Sequence, residues 1–115
     1  MPAMTITRLY TGSEGQSHAE QLSLDTHPEL TSLMAAQGVQ FRAVAAGHFM
    51  DWHPAPRRQF VIMLSGQMEI GLPDGSMHRF GPGDVLLAED VTGKGHTRRV
   101  IGGEPRITAT IPLAE

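Results

Sequence analysis

From residue 39 onward, short alternating or apolar runs are separated every few residues by turns rich in glycine, proline and aspartate. That punctuation leaves room for strands and almost nothing else. Residues 39–45 alternate polar and apolar until Gly47 breaks the pattern. Residues 60–64 are continuously apolar and stop at Ser65 and Gly66, as expected of a strand covered on both faces. Residues 67–72 and 77–80 flank Pro73-Asp74-Gly75-Ser76 and predict a hairpin. Gly81-Pro82-Gly83-Asp84 is a tight turn into a strand over 85–88, with Asp84 bonding to its own backbone. Strands are expected again over 96–101 and 106–113.

Upstream of this region the signals are weaker. Residues 5–9 and 21–25 alternate and read as short strands, with a loop over 11–20. Residues 27–37 hold the one stretch of helical spacing, through Glu29, Leu30, Leu33, Met34 and Gln37, with Gly38 as a stop. The resulting expectation is an all-β domain of many short strands. Closure into a barrel is favoured because it removes unpaired sheet edges.

The chain of 115 residues suffices for one hydrophobic core and not two. A formal net charge of -3 gives no electrostatic reason to bind nucleic acid or anionic lipid, so neither partner is expected. The absence of cysteine excludes disulfides, thiolate metal sites and thiol nucleophiles. Residues 1–8 lack the apolar core of a signal peptide, and no segment has the length to cross a bilayer. A cytoplasmic location is the default expectation. No glycine-rich phosphate loop precedes a helix, and no organic cofactor is expected.

The frame Gly47, His53, Ala55, Gln59, Gly66 resembles the first motif of the cupin superfamily, with alanine and glutamine where that motif has its second histidine and its glutamate. The second cupin motif resembles residues 75–96, with Pro82-Gly83-Asp84 at its turn and His96 at the position of its last metal-binding histidine. The similarity covers roughly the C-terminal two thirds and extends to a subgroup of small bacterial cupins. It implies a single cupin (jelly-roll) β-barrel, its core in residues 39–115 and completed by residues 1–38. It also implies a homodimer and a small-molecule ligand.

In metal-binding cupins the motif residues converge on iron, manganese, zinc, nickel or copper. Carried over residue by residue, the implied donors are His53, Gln59 and His96, although Gln59 brings no charge and Ala55 cannot coordinate. Residues two apart on a strand share a face, so His53, Ala55 and Gln59 point inward together, followed by Val61 and Met63. Gln59, Met63 and Arg98 are the expected ligand contacts. An inward Arg98 demands a nearby acid or an anionic ligand, because an unpaired buried charge is costly. His53 and His96 are also the candidate catalytic groups, since imidazole suits proton transfer near neutral pH. The functional expectation is a small-molecule-binding protein, with metal-assisted catalysis on a small metabolite as an open option. Its rivals are a ligand-binding or sensor module and a structural dimerisation domain.

Overall fold

The computed structural model describes residues 5–114. The first four residues of the 1–8 segment, and Glu115, lie outside the described residues. The described residues form ten strands: β1 (Thr5–Thr11), β2 (Ser17–Ser23), β3 (Gln40–Val44), β4 (Phe49–His53), β5 (Gln59–Ser65), β6 (Gln67–Gly71), β7 (Met77–Phe80), β8 (Val85–Ala88), β9 (His96–Ile101) and β10 (Arg106–Pro112). The all-β expectation and the hairpin of β6 and β7 hold.

The closed barrel does not. The strands divide into a six-stranded sheet, β2-β1-β8-β5-β10-β3, and a four-stranded sheet, β4-β9-β6-β7. No ladder among the described residues joins β3 to β4 or β2 to β7, so both sheets keep free edges. The reason lies in the connections. The turns at 45–48, Gly66, 81–84 and 102–105 each carry the chain from one sheet to the other instead of pairing the strands they join. Gly66 shows how tight such a corner is: its φ is 78°, and a methyl there would collide with the carbonyl of Pro105.

Two apolar clusters result. Leu9, Val61, Met63 and Leu86 from the large sheet meet Met68, Ile70, Leu72 and Phe80 from or beside the small one, and this is the core between the sheets. The opposite face of the large sheet carries a second cluster, including Ile6, Phe60, Val85 and Leu87. β5 contributes to both, which accounts for its unbroken apolar run.

The helical spacing over 27–37 yields only one 3-10 turn, Pro28–Thr31. Beyond it the backbone is drawn along the end of β10: Gln37 N–H donates to the Pro112 carbonyl, and Ala114 N–H to that of Ala35. Leu33 is fully exposed, so no apolar stripe holds a helix to the domain; isolated helices this short are unstable. The expected loop at 11–20 is half strand, because β2 begins at Ser17 and pairs with β1 along its whole length.

Candidate functional site

The site is built where β4 meets β9. Phe49 and Met50 pair with Arg99 and Arg98, the register then shifts, and His53 pairs with His96. From Met50 to His53 is an odd step, which on a regular strand reverses the side chain. The extra residue of the bulge cancels that reversal, so His53 joins Met50, His96 and Arg98 on the inner face. Gly95 permits the approach: its φ is 79°, and a methyl there would collide with the backbone carbonyl of His53. On the outer side, Arg99 lies 4.4 Å over the Phe49 ring and Lys94 4.3 Å over the Trp52 ring, fastening the two strands across the bulge.

The imidazoles of His53 and His96 stand 4.8 Å apart, centroid to centroid, inclined by 55°. Both line an inter-sheet cavity of about 30 Å³ together with Gln59, Arg98, Ala55 and an apolar wall that includes Val61 and Met68. Four of the five residues named from the sequence are therefore brought together. Met63 is not among the cavity residues; it is buried in the core beside Val61 and Met68. His48 is exposed and does not line the cavity.

Each ring is oriented by its Nδ1. In His53 it lies 2.7 Å from the carbonyl oxygen of Asp51, which can only accept, so Nδ1 carries the proton. In His96 it lies 2.7 Å from Oδ2 of Asp90, and Ser17 Oγ donates to the same oxygen at 2.6 Å. Asp90 is wholly buried, and its backbone carbonyl accepts from Ala55 N–H. In the neutral rings the lone pair accordingly sits on Nε2, the nitrogen without a protein partner among the described residues. Burial pushes the His53 imidazole below its ordinary value of 6.5; the neighbouring His96 and Arg98 reinforce this, against the Asp51 carbonyl and Asp90.

Asp90 and Ser17 are the site residues that sequence reasoning missed. Asp90 precedes His96 by a glycine loop with no periodicity, and Ser17 lies in a stretch read as loop. The only available signal was that a buried histidine needs an orienting acceptor.

The donors do not make a conventional divalent metal site. Among the described residues, no three His, Asp or Glu side chains group so as to hold an ion. Two imidazoles and an uncharged amide face the cavity, Asp90 is turned behind His96, and the cationic Arg98 shares the space. A larger cavity, about 450 Å³, lies on the outer face of the six-stranded sheet beside Leu30 and Phe60. Four of its charged lining residues pair with one another: Glu89 accepts from Arg8 at 2.5 Å and Arg58 at 2.6 Å, and Glu20 accepts from Arg8. The smaller cavity, with two ring nitrogens unpaired among the described residues and each ring oriented through its Nδ1, has the stronger chemical character.

No protein-family model matches the chain, and no curated protein matches it by sequence. Solved structures match by shape. A cupin 2 conserved barrel domain protein from Salinispora arenicola is 20% identical, over 66% of this chain and 61% of that one, with a TM-score of 0.53. The DMSP lyase DddQ from Ruegeria pomeroyi is 19% identical, over 67% of this chain and 38% of that one, with a TM-score of 0.55. The chain thus spans less than two thirds of either structure. A cupin domain from Bordetella pertussis covers the whole chain and 98% of its own, at 13% identity and a TM-score of 0.52. At these identities the likeness concerns the fold alone: the chain shares the fold of cupin proteins.

Proposed function

We propose that the protein binds a small metabolite between its sheets, with Nε2 of His53 and of His96 as the polar contacts that orient it. The observation that carries this reading is the pairing of two imidazoles, each held by its Nδ1, on one enclosed space with an apolar wall. Apolar surface supplies affinity in such sites and a few directed polar groups supply orientation. Gln59 and Arg98 add a neutral and a cationic contact. The Asp90–His96 pair also suits proton transfer: the buried carboxylate stabilises an imidazolium formed when Nε2 takes a proton. Catalysis by His53 and His96 is therefore part of the proposal.

A metal-assisted variant uses His53, Gln59 and His96 as donors. The two outward lone pairs support it; the lack of a carboxylate and the presence of Arg98 speak against it. A ligand-observed NMR screen of small metabolites, run with tag-free protein and its metal content, tests the reading. Binding that is lost in both His53→Ala and His96→Ala, in metal-free protein, is the expected result. Binding indifferent to both substitutions overturns it, and stoichiometric metal lost on His53→Ala replaces it with the metal-assisted variant.

Self-association belongs to the same proposal. Phe41 and Ile107 lie on the outer side of the six-stranded sheet, next to its apolar cluster, and are 71% and 40% exposed. Joined to the half-buried Ile62 and Ile111, they form the kind of apolar face that a second copy would cover.

A further inference from the structure

Arg106 opens β10 with a side chain only 2% exposed, yet it makes no ion pair among the described residues. Its Nε has no hydrogen-bond partner, and Nη1 reaches only the thioether sulfur of Met68, at 3.5 Å. Two residues on, and so on the same inner face, Thr108 is 1% exposed and its Oγ1 is also unpartnered. Arg42 on the edge strand β3 is the cross-strand neighbour of Thr108, and hence faces the same way. Arg98, from the opposite sheet, carries no carboxylate either; its guanidinium contacts Met50 sulfur at 2.6 Å and lines the cavity of His53 and His96.

Three guanidinium groups thus share one region with no acid to balance them. Burial depresses the Arg106 value to about 10, with Arg98 and Arg42 adding to the effect, and burial together with Arg42 lowers that of Arg98. No acidic group opposes either shift. Folding gains nothing from an arginine left in this condition, since an apolar residue of similar volume avoids the cost. Elsewhere Arg8 and Arg58 pair with Glu89 and Arg79 with Glu69, while Arg57 and Arg99 are exposed to water. Buried Arg106 and half-buried Arg98, with the exposed Arg42 beside them, lack such a partner among the described residues.

We infer that Arg42, Arg98, Arg106 and Thr108 form an oxyanion subsite, which takes the carboxylate or phosphate end of a small ligand whose remainder lies against His53 and His96. The inference rests on the small-molecule reading for the second half of that statement only. Arg98 links the two parts, because it lines the imidazole cavity while facing the arginines of the other sheet. Met68 links them again, through its contact with Arg106 and its place in the cavity wall. Of the four residues Arg98 lines that cavity, whose size suits a carboxylate, and guanidinium groups are the favoured partners of such groups.

Thermal unfolding at constant ionic strength tests the subsite, with malonate, inorganic phosphate and neutral acetamide as probes. Malonate or phosphate should raise Tm saturably, by roughly 5 °C or more well above Kd, with acetamide inert. Whichever of the two acts at lower concentration identifies the carboxylate or the phosphate as the natural end group. Arg42→Met, at an exposed position, should weaken the response, and Arg98→Met and Arg106→Met should abolish it. Arg106→Met should also leave the ligand-free Tm equal to or above that of the wild type, which a merely structural arginine would not. The subsite is overturned if neither anion gives a saturable shift, or if the shift survives all three substitutions. An anion shift that vanishes in Arg98→Met, with metabolite binding indifferent to His53→Ala and His96→Ala, keeps the subsite and removes the imidazole pocket from the account. Neutral ligands that need His53 and His96, with no anion response, do the reverse.

Discussion

Oδ2 of Asp90 lies 2.7 Å from Nδ1 of His96, while Oδ1 of the same wholly buried carboxylate has no partner. Among the described residues, the side-chain hydrogen bonds of Asp90 therefore all run through one oxygen, shared between His96 and the hydroxyl of Ser17. The neutral imidazole is held in the tautomer that leaves Nε2 open to the cavity, by a residue of the loop that leads into β9. Such an arrangement makes His96 a directed donor or acceptor instead of a merely buried ring.

Asp90→Asn should cost about 2 kcal/mol, as expected for a buried hydrogen bond to a charged group. It should also release the tautomer, because an amide can donate to Nδ1 as readily as accept from it. Urea unfolding reads the first effect and the nitrogen shifts of the His96 ring read the second. Ser17→Ala should lower stability by about 1 kcal/mol and leave the tautomer in place.

Stability below pH 5 should depend on Glu89. Burial opposes its ionisation, but the hydrogen bonds from Arg8 and Arg58 prevail and hold its carboxyl below the ordinary 4.5. A carboxyl depressed in the folded state contributes stability above its unfolded pKa, near 4.3, and loses that contribution as pH falls through the folded value. Glu89→Gln should remove about 1 kcal/mol at pH 7 and flatten the acid limb of the stability profile. Denaturant midpoints measured from pH 3 to 7 in both proteins check this.

Gly95→Ala should cost more than about 2 kcal/mol, since it combines a left-handed backbone angle with a collision against backbone that cannot rotate away. The damage should be local as well as global. The β4–β9 pairing at His53 and His96 should open, visible as faster amide exchange at His96 than at residues of β6.

Phe41→Glu should convert a self-associated form to monomer while leaving the secondary structure intact, because the side chain touches solvent and not the inner core. Light scattering across a concentration series measures the effect. A monomeric wild type would remove self-association from the account.

Most strands of residues 39–113 were legible because turns and alternation are local signals, but β4, over which no strand was expected, was not. Sheet closure was not legible either, since it depends on whether edge strands distant in sequence, such as β2 and β7, pair, and no local residue pattern specifies that. His53, Gln59, His96 and Arg98 could be named through spacing and a family resemblance. Inward direction of His53 depended on a bulge, which displaces one residue without a compositional mark. β10 is the sharper case. Alternation alone would turn Ile107, Ala109 and Ile111 toward the core and leave Arg106, Thr108 and Thr110 in water. The structure does the opposite, because the outer face of that sheet is itself an apolar surface and the inner face serves polar chemistry.

Long-range 1H–15N spectra of the imidazole rings, recorded from pH 8 to pH 5 in metal-free buffer, test the convergence of His53 and His96 most directly. At pH 7 His53 should show a protonated Nδ1 and a bare Nε2 and stay neutral to below pH 6.5, and the neutral form of His96 should carry the same tautomer. A bound small molecule should shift both Nε2 signals together. An Nε2-protonated tautomer in either ring, or a ligand that moves one ring and leaves the other untouched, would contradict a shared site.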